Sequence, residues 1–515
     1  RLAPRLGHAP CKVLTADERE KFRSCSCAVC HLFGDINPTD EKGTQSASSR
    51  ILVFNARLQN DTTHALIRDG VGIDRITGAA ARAGSVKFDL EVLPAGAEFD
   101  IRLELRDTNE EDEQLLAAVL SEWQEGRAWL GGRVARGLGA LTLDNLEYKT
   151  LDLNTSDSLM TFLQSDEPWS QSTIQPHWLK TRLQAINVRP VEDGTPPTVP
   201  RGWLIIEGVL QAEGPLLTND TMASGASGFD HAPLLTRWGD WMHPVLTGAG
   251  LRGVLRSHAE RLARSLTTHA VSDLDAFLFK CPACSPVENR PGAPLASCDA
   301  LLKNVAKLPS DALVSDDHLC LACQLFGSTR RGSHLIVEDA PYAGEQPPKL
   351  KMFDFLAIDR FTGGGAEHLK FDALALWRPA FKLRLYLENP QAWELGWLAL
   401  VLRDLEEGWL SVGFGAAKGF GRVKLRDWKA TFGYLTPEDL PTGLDEPDTP
   451  GQSGIFKTAE VQGNSDEWRK VAGDWVKAFH QQVSSFERTE LPKLAEDSYF
   501  GKVDGLYPVL KGDKQ

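Results

Sequence analysis

No run of about eighteen apolar residues occurs in this 515-residue chain, which excludes the usual membrane-spanning helix. No signal-peptide pattern is visible in the first residues. Arg1 stands where a native bacterial chain would have Met, so a preceding segment is expected. Neither a phosphate-binding P-loop nor a dinucleotide fingerprint is present, since Gly413-x-Gly415 lacks the spacing and context of either. A basic excess is lacking too. The net charge is -14, which counts against a nucleic-acid binder, although binding needs only a local basic stripe. What remains is 42% hydrophobic and 24% charged, ordinary for a globular chain long enough for two or three domains.

Nine cysteines are present in two groups: Cys11, Cys25, Cys27 and Cys30, then Cys281, Cys284, Cys298, Cys320 and Cys323. Clustered C-x-x-C spacing in a large chain without a secretion signal points to zinc rather than disulfides. Zinc takes four soft ligands in a tetrahedron, and each C-x-x-C supplies two from one turn. The first group is a complete set. In the second, Cys281 and Cys284 pair with Cys320 and Cys323, with Cys298 and His318 as alternates. Four thiolates close the coordination sphere to water, so two structural zinc ions are expected, one per group.

The chain also resembles itself. Cys27-Ala-Val-Cys30-His-Leu-Phe-Gly34 matches Cys320-Leu-Ala-Cys323-Gln-Leu-Phe-Gly327. Gly72-Ile-Asp74-Arg75-Ile-Thr77-Gly78 matches Ala357-Ile-Asp359-Arg360-Phe-Thr362-Gly363, and Val134-Ala-Arg136-Gly137-Leu-Gly139 matches Ala416-Ala-Lys418-Gly419-Phe-Gly421. Three matches in one order mean two copies of one fold. The second copy opens on a strand-like run at 203–211. Arg1-Leu-Ala3 aligns with Arg261-Leu-Ala263, so the first copy is expected to lack its opening strand and most of its first helix.

These matches divide the chain into a first copy (1–150), a linker rich in Ser, Thr, Asp and Pro (151–200), a second copy (201–435) and an acidic stretch with an amphipathic helix (436–515). The linker carries a short helix around 178–185. In the last segment Trp468, Val471, Trp475, Phe479, Val483 and Phe486 recur at helical spacing, with Ser465 as N-cap. Alternating strands at 85–92 and 381–387, each followed by a helix (113–124 and 393–407), suit an α+β class with two tandem ferredoxin-like sheets.

Together the paired motifs resemble the RAMP superfamily, the repeat subunits of CRISPR type III effectors, over most of residues 1–435. The fused form is most similar to the two-repeat subunit of the type III-D variant and to the central repeats of the single-chain type III-E effector. The resemblance implies two ferredoxin-like, RNA-recognition-motif-like units with zinc-binding insertions and thumb hairpins. It further implies a guide crRNA, a single-stranded target RNA and a prokaryotic cytoplasm. Other effector subunits or fused repeats would be partners, among them a large polymerase-like subunit or a protease.

By the same resemblance, residues 74–84 and 359–370 are the thumb bases, with Asp74, Arg75, Asp359 and Arg360 near RNA. The glycine-rich loops at 131–139 and 413–421 allow close backbone approach to phosphates. Arg133, Arg136 and Gly137, or Gly415, Lys418, Gly419 and Arg422, would line that surface, and Arg252 and Arg256 lie one helical turn apart near a helix start. Asp230, in a Gly/Ser-rich loop expected to be flexible, matches the family's cutting residue. Asp220, Asp240 and His231 are the fallback groups. Asp230 would take a proton from the 2′-hydroxyl or position Mg2+ or Mn2+. The alternatives are a non-catalytic crRNA scaffold of the same fold and an unrelated zinc-ribbon protein.

Overall fold

The computed structural model describes residues 2–8, 27–34, 48–59, 65–75, 77–81, 87–190, 201–238, 241–271, 277, 280–289, 295–304, 314 and 316–487. Cys11, Cys25 and Asp240 therefore lie outside the described residues.

The first copy opens on a 3-10 turn (Ala3–Leu6), followed by helix α1 (Ala28–Phe33) and strand β1 (Ile51–Val53). Strands β2 (Leu66–Val71) and β3 (Lys87–Val92) form an antiparallel hairpin arm. Strand β4 (Leu103–Leu105) pairs with β1, and helix α2 (Glu110–Gln124) follows, held by an Asn109–Asp112 capping box. The linker holds two helices, α3 (Ser156–Gln164) and α4 (Trp178–Gln184). Helix α4 is not a free tether. Trp178 stacks on Tyr148 with ring centroids 4.2 Å apart and donates to Glu113 of α2 at 2.9 Å.

The second copy supplies the main core. Strand β5 (Gly202–Ala212) leads into helix α5 (Thr221–Ser227) and the long helix α6 (Gly248–Ala270). Short helices α7 (Cys298–Asn304) and α8 (Leu321–Phe326) precede β6 (Leu335–Val337). Strands β7 (Leu350–Ile358) and β8 (Gly365–Trp377) make a long hairpin, and β9 (Ala380–Glu388), α9 (Ala392–Glu407) and β10 (Val423–Tyr434) complete the unit. The sheet order begins β6-β9-β5-β10, with every pair antiparallel. That is the order of a ferredoxin-like βαββαβ sheet. Helix α6 buries Leu251, Leu255, Ala259 and Ala263, a stripe at helical spacing.

Residues 436–487 extend this unit. Strands β11 (Gly451–Ser453) and β12 (Phe456–Gln462) continue the sheet beyond β10, and helix α10 (Asp466–Ser485) packs on α9. Ser465 caps it, accepting from Trp468 N at 3.0 Å. Phe479 stacks on Trp397, and a Cβ at Gly396 would lie 2.0 Å from the Trp475 carbonyl, so only glycine lets these helices touch. Helices α4 and α10 take equivalent places beside α2 and α9, and Trp178-Leu-Lys matches Trp475-Val-Lys in sequence.

Candidate nucleic-acid interface and cysteine centre

The two copies meet along a cleft of about 2070 Å³. From the first copy it is lined by Arg75, Arg133 and Arg136, and from α6 by Arg252, Arg256 and Arg261. Glu260, fully buried, is the local anion: it faces Arg75 at 2.9 Å, Arg256 at 2.7 Å and Arg264 at 3.6 Å. Arg256 also donates to the Gly327 carbonyl at 3.0 Å. Arg75 and Arg256, expected on RNA, are thus turned inward, because a buried carboxylate requires paired cations. Arg252 differs. It donates to the Phe326 carbonyl, but its Nε is buried without a hydrogen-bond partner among the described residues. Burial, with Arg256, Arg136 and Arg75 nearby, pushes its guanidinium down to about 9. Burial and the nearby Arg133 and Arg256 lower Arg136 as well.

The glycine-rich loops serve different ends in the two copies. A Cβ on Gly137 would lie 2.4 Å from Asp339 Oδ1 and 2.9 Å from Gly248 Cα, so this loop docks against the start of α6. Gly137 is a close-packing residue between copies rather than a bare phosphate cradle. Arg133 sits over the Phe88 ring at 4.5 Å. In the second copy, Gly415 and Gly419 both have left-handed φ, and a Cβ on Gly419 would meet nothing within 4 Å. Lys418 lies over Phe371 at 4.4 Å and near Phe355 and Phe414. Arg422 pairs with Glu213 at 3.0 Å.

The Ile-Asp-Arg motifs lie away from the hairpin bases. Asp359 follows the last residue of β7 and accepts from Phe361 N and Thr362 N at 2.9 and 2.8 Å, forming the tip turn, and these bonds lower its proton affinity. Asp74 likewise accepts from Thr77 N at 2.8 Å. Each Asp builds a turn, and Arg360 beside it is exposed.

The loop expected to be flexible is partly helical. Asp220 caps α5, accepting from Met222 N and Ala223 N, so this fallback carboxylate has a structural task. Asp230 is exposed and clasped to β8: its N–H donates to Asp372 Oδ1 and its Oδ2 accepts from Asp372 N, both at 2.9 Å. His231 Nδ1 lies 3.2 Å from Asn219 Oδ1. Asp372, Asn219 and Glu260 went unnoticed in sequence. One signal was available, since Lys370-Phe371-Asp372 repeats Lys87-Phe88-Asp89.

In the second copy the sulfurs of Cys284, Cys298, Cys320 and Cys323 lie within 4.8 Å of one another, all buried. Cys298 thereby takes the place expected for Cys281. Cys281 Sγ donates to the Ala283 carbonyl at 3.3 Å, while Cys298, opening α7, is brought to Cys320 and accepts from its N at 3.3 Å. His318 is outside the tetrad. Hydrogen bonding with Cys298 lowers the Cys284 thiol, whereas hydrogen bonding with Cys284 raises Cys298 and Cys323. Four sulfurs at the zinc–thiolate bond length sit roughly 3.8 Å apart. The Cys284–Cys323 separation of 3.5 Å fits, so the tetrad could hold one zinc ion as a closed structural centre. In the first copy, Cys27 caps α1 and accepts from Cys30 N at 3.4 Å.

The profile of the RAMP superfamily matches residues 6–142 and 231–424, both copies and well over half the chain. The chain belongs to the RAMP superfamily. RAMP proteins are RNA-binding subunits of CRISPR ribonucleoprotein complexes, and some are RNA endonucleases. No curated protein matches this RAMP chain. No helix among the described residues is long and apolar enough to cross a membrane.

Proposed function

We propose that this RAMP protein is a backbone subunit of a CRISPR type III effector that holds guide crRNA along the inter-copy cleft and cuts the paired target RNA beside Asp230. The observation that carries the reading is Arg252. It lines the inter-copy cleft together with Arg133, Arg136 and Arg261, and its Nε has no hydrogen-bond partner among the described residues, so an added anion stabilises this cluster and a guide phosphate supplies one. The expected test is a salt titration of guide binding. Arg252→Gln should weaken affinity and reduce the log–log salt slope by about 0.7. An unchanged slope removes the cleft from the guide path.

For the cut, a 2′-oxygen attacks the neighbouring phosphorus and the P–O5′ bond breaks. Asp230 or His231 takes the 2′-hydroxyl proton, and a proton passes to the leaving 5′-oxygen. Mg2+ or Mn2+ would assist by polarising the phosphate. Asp230→Ala should bind guide normally and lose one cut, and chelation should stop cutting until magnesium is restored. One observation favours the second reading, a non-catalytic scaffold: the Asp230 carboxylate is engaged with the Asp372 backbone. Wild-type protein that binds guide and target yet leaves the target intact would establish that reading. The zinc centre stabilises the second copy, and the partners are the other type III subunits, in a prokaryotic cytoplasm.

A further inference from the structure

The β2–β3 hairpin of the first copy reaches the loop of the second copy that carries Asp230. Thr221, the first residue of α5, donates to Asp69 Oδ2 through its hydroxyl and, at 3.3 Å, through its backbone N–H. Asp69 faces Asp89 directly across the hairpin, and Asp89 is also a hydrogen-bond partner of its carboxylate. The second hairpin repeats this arrangement: Asp354 faces Asp372 across β7 and β8, and Asp372 clasps Asp230. The loop is thus pinned at its start by the first copy's hairpin and at its end by the second copy's own. Between the pins, Ser224 Oγ accepts from Ala232 N at 2.9 Å and donates to the Asp220 carbonyl at 2.8 Å, so α5 moves with Asp230.

The first hairpin is itself referenced to the second copy. Arg68, next to Asp69, pairs with Asp339 at 2.5 Å, and Arg75 pairs with Glu260 on α6. The side chains at 68 and 69 leave opposite faces of the strand, so the arm is gripped on both. Hydrogen bonding from Thr221 is the main cause of the lowered proton affinity of Asp69, which keeps it an acceptor at neutral pH.

We infer that Asp69 is a positioning residue: the first copy's hairpin sets the geometry of the second copy's cutting loop through Thr221. This rests on Asp230 as the cutting residue. A displacement of about 1 Å in a reacting group costs up to a hundredfold in rate. In guide-loaded protein, Asp69→Ala should slow single-turnover cutting at the Asp230 position about ten- to a hundredfold, with guide affinity unchanged. Asp69→Asn, which keeps an acceptor oxygen, should restore most of the rate. Thr221→Val should match Asp69→Ala, and the double variant should lose no more than either single one. Amide exchange over residues 221–228 should rise in Asp69→Ala, a readout independent of cutting. If Asp69→Ala cuts at the wild-type rate while Asp230→Ala does not cut, the positioning role is wrong and the catalytic assignment stands. If Asp230→Ala cuts normally, the catalytic assignment falls. Unchanged exchange in Asp69→Ala then overturns the mechanical link as well.

Discussion

Arg5 and Asp439 are 434 positions apart and form a buried bidentate ion pair, with bonds of 2.8 and 2.6 Å and side chains 2% and 1% exposed. Arg5 Nε also donates to the Arg189 carbonyl at 2.9 Å. Asp439 accepts two more bonds, from Thr436 N and Thr436 Oγ1. The pair ties the first turn of the first copy to the chain between copies and to the extension of the second. In Arg5→Met the Asp439 carboxylate keeps its Thr436 donors and loses its countercharge. Breaking one side of a buried pair costs about 3–5 kcal/mol. For a unit of 150–250 residues, each kcal/mol lowers the melting temperature by roughly 2–4 °C, so a fall near 10 °C is expected. Replacing both members with apolar residues removes the stranded charge, so Arg5→Met/Asp439→Leu should recover part of that loss. Calorimetry of wild type, both single variants and the double variant measures the coupling. A single variant melting within about 2 °C of wild type would falsify the claim that this pair is desolvated and stabilising.

The cysteine assignment separates two otherwise similar variants: Cys298→Ser should lower zinc content by about one ion per chain, and Cys281→Ser should leave it unchanged. Metal analysis giving the reverse pattern would return the site to its sequence-based composition. His258 is buried, 2.6 Å from Asp404 Oδ2 and 2.7 Å from Arg261 Nη2, with Arg403 on the far side of Asp404. Burial pushes it below the ordinary histidine value of 6.5. The folded protein then binds fewer protons than the unfolded chain, so this contribution is present above 6.5 and is lost as pH falls through the folded value. The melting temperature should drop as pH falls from about 6.5 through the lower folded value, and His258→Gln should flatten that slope. Equal slopes in both proteins would clear His258 of any part in it.

Periodicity and motif repetition determined much of this protein. The stripe Trp468, Val471, Trp475, Phe479 and Val483 marked one apolar helix face, and Ser465 before it marked the N-cap, since both follow from local geometry. Three ordered motif matches likewise forecast the two copies that the RAMP profile covers. Contacts between distant segments were not legible. Which cysteine completes the tetrad depends on where α7 packs, because a sulfur's reach is set by its helix and not by C-x-x-C spacing. That Arg75 arrives from the other copy to share Glu260 with Arg256 depends on how the two copies pack. That Asp69 meets Thr221 depends on a hairpin crossing 152 positions of sequence. A sequence states which side chains carry charge or sulfur, whereas burial and pairing, which set what those groups do, exist only once remote elements have packed together.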